Sequence, residues 1–397
     1  MLESIFIGLT GLNSYSRGLQ MISNNVANLN TPGFKSSSLR FGDLFYRGTA
    51  SSGLLGSAGA MQFGTGVGLS GSTLNFRQGD LRTSGGDLDL AIQGRGFMVL
   101  MDGNKKVYVR TGQLALDKDG YIAESALGFR LGVLSGGGGL QTVSINGQRT
   151  NPPKSTSEIK FTDNLSATAT EHVISGVEVF DSNGGKHLWT IRFTNTFSTT
   201  AGRWAVTVED EKGVKIKEGE IVFNGSTIVA DKSKITIDFT PAGAAASKVV
   251  LDFGTGVTGF SAGTFSSLNV QSKDGYAPGD LTRVLIDTDG QIKLEYSNGQ
   301  STKLGYVALA DFEDLQGLTQ RGDGVFEVTS GELPQLLWQG EGGMGTIKSQ
   351  SVEASNVDLS QEFGQLILYQ RGYQASSQVI SVANEMIQQL FELRGRA

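Results

Sequence analysis

The chain of 397 residues has no cysteine, two histidines and six prolines. Without cysteine it has no disulfide, no thiol nucleophile and no Cys-ligated metal site, and it behaves alike in reducing and oxidising surroundings. His172 and His187 alone give little material for a histidine metal centre or a shared general base. Neither sign of charge dominates: 33 basic against 39 acidic residues leave −6, which provides no broad cationic face for nucleic acid or anionic lipid. No run approaches the ~18 apolar residues of a membrane span. The opening MLESIFIGLTGLN carries Glu3 where a secretory signal would carry Lys or Arg, so any export is expected to proceed without a cleaved signal peptide.

Glycine is what the chain has in plenty: 56 residues, roughly twice average usage. That favours tight turns and many short strands. The length fits two or three domains at about 150 residues each.

Both ends read as helices. Leu2, Ile5, Leu9, Leu12, Leu19 and Val26 recur at 3/4 spacing on one helical face, and the turn signal Asn30-Thr31-Pro32-Gly33 closes the segment. Leu359, Leu366, Tyr373, Ile380 and Ile387 recur every seven residues, with Tyr369, Ala383 and Leu390 beside them. Ser16, Ser23, Gln370, Gly372, Ser376 and Ser377 dilute these stripes, so neither helix should be stable alone. Packing on this protein's own core and packing against other copies both remain open from the pattern.

Between the ends the period falls to two, as in Leu88, Leu90 and Ile92. Asp119-Gly120, Asp289-Gly290 and Asn298-Gly299 suggest two-residue hairpin turns. Gly136 to Gly139 with Pro152-Pro153, and Pro278-Gly279, bracket a middle segment with strand candidates at Val173–Phe180, Trp189–Phe193, Trp204–Val208, Glu220–Phe223, Ile235–Phe239 and Val249–Phe253. The glycines near 136 and 279 are candidate hinges, and the tract Ser51 to Ala60 is a candidate loop. The expected fold is mainly β with α-helical termini, plus two β-rich domains. The helical domain takes 1–29 and 359–397, a discontinuous β-rich inner domain takes 30–140 and 280–358, and an inserted β sandwich or barrel takes 141–279.

Motifs with catalytic overtones lack their partners. Gly259-Phe260-Ser261-Ala262-Gly263 matches a nucleophile elbow, but no histidine follows it and no helical pattern leaves it. Gly254, Gly256 and Gly259 form a G-x-G-x-x-G with no helix to receive a pyrophosphate. The Asp117 and Asp287 loops carry Gly128 and Asn298 where a calcium loop needs its bidentate Glu, and they read as hairpin tips. Arg321-Gly322-Asp323 reads as a turn. Trp189 and Trp204 lie in alternating strands where an aromatic is core. No catalytic, metal or cofactor site is expected; a secreted hydrolase or carbohydrate binder is the alternative of another class.

One run is specific. NNVANLNTPGFKSS, Asn24 to Ser37, resembles the N-terminal signature of the axial proteins of the bacterial flagellum: rod, hook and hook-associated proteins. LDLAIQGRGFMVL, YVRTGQLALDKDGYI and SNVDLSQEFGQLILYQRGYQASSQVISVANEMIQQL resemble the family's other blocks in the same order, over roughly residues 1–135 and 300–397. The signature residues are Asn24, Asn25, Asn28, Thr31, Gly33, Phe34, Lys35, Asn356, Val357, Asp358, Gln370, Arg371, Tyr373 and Gln374. Rod proteins of the family are shorter and the first hook-associated protein longer, so length and the inserted domain point to the hook, with the rod as alternative.

The resemblance implies that the N- and C-terminal helices pair as a coiled coil and that the two β-rich domains are outer ones. It also implies a structural subunit, not an enzyme, that polymerises with itself into a hollow, curved, flexible tube acting as a universal joint. Its implied partners are the flagellar rod, the hook cap, the hook-filament junction proteins and the type III export apparatus. Its implied place is the extracellular hook. Polymerisation is expected to rest on the two terminal stripes.

Overall fold

The computed structural model describes residues 2–44, 46–48, 62–135, 138–196, 202–329 and 333–395. The tract 51–60 and Gly136 lie outside the described residues. The chain forms two compact units. The first comprises Met1–Ile145, Val284–Lys293 and Lys303–Ala397; the second comprises Asn146–Arg283 and Leu294–Thr302.

The first unit contains both helices, α1 (Leu2–Ala27) and α2 (Leu359–Gly395). They rest on an antiparallel ribbon of Ser37–Asp43 and Val67–Leu74. Below lies a nine-stranded sheet whose centre pairs Phe97–Asp102 with Lys105–Val109 and then with Val325–Val328. Phe97, Val99, Tyr108, Phe312 and Phe326 fill its core, with Phe97 edge-on to Phe312 and Phe326. A smaller sheet joins Leu90–Gln93 to Thr346–Ser349 and Thr111–Gly112, and Leu81–Thr83 pairs with Ser351–Glu353. Strands just before α2 are thereby sewn to strands that follow α1.

The second unit is built on one ten-stranded sheet that folds over on itself, its two layers joined through Thr227–Ile228 and Val257–Thr258. One layer is the antiparallel meander Glu171–Phe180, Lys186–Asn195, Arg203–Glu209 and Lys215–Asn224. The other holds Lys234–Phe239, Ser247–Asp252, Glu158–Asn164 and Asn269–Lys273. Period-two alternation places Trp189, Ile191 and Phe193, then Trp204, Val206 and Val208, on the inner face, where they meet Phe161, Ile237, Leu251 and Phe253. Each of the six strand candidates lies within or largely within an observed strand. Glu158–Asn164 was missed: it pairs in parallel with Ser247–Asp252, a non-local contact that no hairpin signal announces. Trp189 and Trp204 are core and form no surface platform.

The hairpin tips differ from expectation. The backbone N–H of Asp117 donates to the carbonyl of Tyr121 at 2.8 Å, so the loop has three residues, and Gly120 sits at φ 76°. The Asp117 carboxylate accepts from the N–H groups of Asp119 and Tyr121, each at 2.8 Å. The same arrangement recurs at Asp181, Asp210 and Asp287. These carboxylates close turns by binding their own backbone, the Asx device, which leaves the left-handed residue to glycine as in a bulged three-residue hairpin.

The bracketing prolines converge, since a Cβ on Gly184 would meet both Pro278 and Pro153. Gly279 does not behave as a joint. It is buried in the strand Gly279–Ile286, and a Cβ there would lie 2.5 Å from the Asn298 side chain. Ser261 is exposed in an irregular loop that leads to the strand Asn269–Lys273, with no helix at its exit. His172 is bonded to the carbonyl of Leu268 and His187 to Asp181.

Phe253 stacks on Phe161 at 4.5 Å and stands edge-on to Phe193 at 5.8 Å. Phe253→Ala is expected to destabilise the second unit by about 3–5 kcal/mol, read as a lower midpoint in denaturant for the transition reported by Trp189 and Trp204 fluorescence.

Candidate assembly site

The two helices pair antiparallel. A Cβ on Gly8 would meet Ile380, one on Gly11 would meet Ser376, one on Gly372 would meet the Tyr15 ring, and one on Gly18 would meet the Tyr369 ring. At the far end Asn25 Nδ2 donates to Glu362 Oε1 at 3.0 Å. As numbers rise along α1 they fall along α2. The buried residues of α1 are Gly8, Gly11, Ser14, Gly18, Ile22 and Asn25, a 3/4 spacing whose glycines face α2 while Ser14 and Asn25 bond the ribbon at Val67 and Ser37.

This internal seam is a different line from the stripe expected to carry polymerisation. The expected stripe lies one residue further along: Leu9 follows Gly8, Leu12 follows Gly11, Leu19 follows Gly18 and Val26 follows Asn25, each rotated by about 100° from the buried line. Ile5, Leu12, Leu19 and Val26 are half-buried, and Leu9 is 57% exposed. The side chain of Leu2 lies outside the described residues. On α2, Leu366, Ile380 and Ile387 are half-buried, while Leu359 and Tyr373 are exposed. Small residues let the two backbones approach until dispersion contacts accumulate over their whole length. The large side chains are left outside: Phe363, Ile367, Leu368, Val379 and Val382 are exposed on α2, and Phe6, Ile7 and Leu9 on α1. A scan for small residues at 3/4 spacing would have found this line; a scan for large ones found its neighbour.

An aromatic trio joins the pair to the ribbon beneath. Phe41 lies 5.9 Å from Tyr15 and 5.7 Å from Tyr369. Among the described residues α1 has 26 and α2 has 37. Its last turns carry the exposed Met386, Leu390 and Phe391.

The signature residues build the anchor at the other end. Asn28 Nδ2 donates to the carbonyl of Asn24 at 2.9 Å, and Thr31 Oγ1 donates to Asn28 Oδ1 at 3.1 Å, which closes α1. Asn25 reaches across to the ribbon: its Oδ1 accepts from Ser37 N at 3.1 Å and its Nδ2 donates to Ser37 O at 2.9 Å. Gly33 has φ 70°, its N–H donates to the carbonyl of Glu353 at 2.8 Å, and a Cβ would come 3.0 Å from Thr111. Glycine is therefore required there on two counts. Asn356 Oδ1 accepts from Ser36 N, and its Nδ2 donates to the carbonyls of Asn75 and Arg77. Asp358 caps α2 by accepting from Ser360 N at 2.8 Å and Gln361 N at 3.2 Å. Phe34 and Val357 are buried.

Lys35 is wholly buried. Its Nζ donates to Glu353 Oε1 at 2.6 Å and to the carbonyl of Arg77 at 2.8 Å. The same carboxylate accepts from Gly79 N and from Arg110 Nε at 3.2 Å. The Arg110 guanidinium also donates to the carbonyls of Gly96 and Ile92. Burial holds the Lys35 ammonium below the ordinary lysine range, while Glu353 pulls it back and Arg110 opposes it. Two cations share one carboxylate, and backbone carbonyls complete their shells, as a buried cluster requires. Glu353, Arg110 and Glu362 were not singled out in the sequence, because a lone acid or base between apolar residues carries no periodic signal. Gln370, Arg371, Tyr373 and Gln374 are not brought to this anchor; they lie exposed along α2.

Glu362 stands at the foot of the pair, 7% exposed. Its Oε2 finds no hydrogen-bond partner among the described residues. Burial pushes its carboxyl above the ordinary range; the Asn25 bond offsets part of this and the charge of Asp358 adds to it.

The comparisons follow the same two segments. The family model for flagella basal body rod proteins matches residues 5–35, and that for the C-terminal part of flagellar basal body rod FlgEFG proteins matches residues 348–393. Between them they hold Asn25, Lys35, Glu353, Asn356 and Glu362. The paired ends and their anchor thus define an axial protein of the bacterial flagellum. The flagellar hook protein FlgE of Salmonella typhimurium is 30% identical, covering 97% of this chain and 98% of its own length. That of Escherichia coli is 31% identical with 97% and 98% covered, and that of Treponema pallidum 26% with 99% and 100%. The crystal structure of Helicobacter pylori flagellar hook protein FlgE2 shares the fold, with a TM-score of 0.53 at 14% identity over 69% of this chain and 100% of that one. The chain belongs to the flagellar hook protein family, as a structural subunit of the hook.

Two outcomes test the site. Gly18→Leu drives a branched side chain into the Tyr369 ring and is expected to abolish hydrogen-exchange protection along α1 and α2 while leaving the second unit's protection unchanged. Glu362 binds its proton more tightly folded than unfolded, so its contribution is fully present below the ordinary value of 4.5 and is lost as pH rises through the raised value. Protection of the helix pair is therefore expected to fall across that rise in pH, and Glu362→Gln, which keeps the acceptor for Asn25, to remove the fall.

Proposed function

We propose that the chain assembles with copies of itself into a hollow helical tube, in which the terminal helices form coiled-coil inner layers and the β-rich parts face outward. The observation that carries this reading is the apolar surface the helix pair leaves outside, with Leu368 at 66% and Phe391 at 68% exposure. Each such side chain gains about 1.5–3 kcal/mol when fully buried, and the glycine seam has already used the face by which α1 and α2 meet. Further burial has to come from neighbours. Subunits related by a rotation and a rise contact one another through unlike surfaces, which extends rather than closes.

The tube serves as a curved, flexible joint between rod and filament. As it turns while bent, each line of subunits lengthens and shortens. Outer contacts must then be small and polar enough to exchange, as transient interfaces between domains are. The partners under this reading are the rod, the hook cap, the hook-filament junction proteins and the type III export apparatus. The absence of cysteine spares the chain any disulfide to undo during threading through that apparatus. No helix among the described residues is long and apolar enough to cross a membrane.

Electron microscopy of the concentrated full chain is expected to reveal curved tubes. Ile367→Asp with Leu368→Asp is expected to prevent tubes while the unfolding midpoint of the lone chain changes little, because both residues are exposed. Tubes that persist in this double variant would refute the assignment of that face.

A further inference from the structure

Two phenylalanines stand out from the second unit on a loop whose backbone is held by hydrogen bonds. Phe260 is 58% exposed and Phe265 84%. A single exposed apolar side chain is ordinary; a pair carried on one bonded backbone is not. Phe260 N donates to Asn164 Oδ1 at 2.8 Å, and Asn164 Nδ2 donates back to the carbonyl of Phe260 at 3.0 Å. Ser166 Oγ accepts from Ala262 N and donates to the carbonyl of Gly263, which also accepts from Thr168 Oγ1. Ser166 N donates to Ser266 Oγ, and Ser267 N to the carbonyl of Asn164. The loop is tied on both sides of each ring. Aromatic anchors ordered in advance lose little entropy on docking, and such residues carry most of the energy of interfaces.

The same unit has a place for them. His187, Leu188, Trp189, Ile216, Phe239 and Pro241 line an open cavity of about 600 Å³. Trp189, Phe239 and Pro241 are buried, and Asp210, Glu211, Lys212 and Asp238 also line it. The strand Lys186–Asn195 runs from this cavity at Leu188 to Asn195, whose Nδ2 donates to the carbonyls of Ala167 and Ala169 beside the aromatic loop. At about 3.3 Å per residue the two features lie roughly 23 Å apart. The rings cannot reach their own cavity.

We propose that Phe265, with Phe260 beside it, docks into this cavity on a neighbouring copy of the chain. The inference rests on the self-assembly proposed above and names a contact of the inserted unit within it. Knob and hole occupy different ends of one unit, so each copy offers both and the contact repeats without closing. The stretch 259–268 carries no charge, so docking brings no ion of its own into the cavity. Two rings cover far less than the ~1,000 Å² of a stable isolated interface. The contact therefore forms only between neighbours already held by their helices, and it can release and re-form as the tube flexes.

The test places photoreactive benzoylphenylalanine at position 265 of the full chain, mixed as a minority with unlabelled chain so that tubes form regardless. Irradiated tubes are expected to yield cross-linked dimers joining the 259–267 peptide to peptides containing 187–189 or 238–242. Leu188→Glu in the unlabelled chain is expected to lower that yield at least tenfold without shifting the unfolding midpoint. Tubes that yield no such dimer, or dimers joined at other surfaces, overturn the inference alone. Failure of the unlabelled chain to form tubes overturns the assembly reading, and this contact with it.

Discussion

The structure depends on how closely two backbones approach. Gly8, Gly11 and Gly18 on one helix and Gly372 on the other admit Ile380, Ser376, Tyr369 and Tyr15 to positions where a Cβ already stands too near. The chain thereby spends its small residues on the internal pairing and keeps its large ones for elsewhere. A leucine seam would have done the reverse, with a stabler hairpin and a bare polar exterior. The weakness of this pairing in apolar area is thus inseparable from the richness of the surface around it.

A hairpin so lightly packed needs to be held at its base, and the anchor supplies this. Lys35 and Glu353 are 318 residues apart in sequence, yet their bond has no exposure to water. With Arg110 and the carbonyls of Arg77, Gly96 and Ile92 it forms a closed set of partners in which removal of any one strands a buried charge. Geometry is the gain from such a cluster more than raw stability. Asn25 and Asn356 extend it to Ser37 and Ser36, so that the exit of α1, the entry of α2 and the ribbon share one fixed point.

Much of this was legible in the residues and some was not. Helix limits followed from apolar spacing and from the stop at Asn30 to Gly33, and the strands of the meander followed from alternation such as that of Trp204, Val206 and Val208. The internal seam of α1 went unread, because periodicity weighs large side chains and contact here is made by small ones. Asp117 and Asp287 were correctly placed at hairpin tips, but their side-chain bonds lengthen the loop beyond what a bare Asp-Gly implies. Glu353 and Arg110 were invisible, since a buried pair far apart in sequence leaves no local trace. The parallel partner of Ser247–Asp252 was missed for the same reason. The resemblance of Asn24 to Ser37 located the anchor without disclosing its electrostatics.

The two ends of the helix pair differ in chemistry, and this gives the molecule a direction. At one extremity the pair is pinned, capped by Asp358 and locked through Asn25. Toward the other, α2 carries Met386, Leu390 and Phe391 uncovered. In the assembly proposed above, newcomers would meet polar, finished landings at one tip and greasy ones at its opposite, and growth would acquire an arrow from the subunit itself.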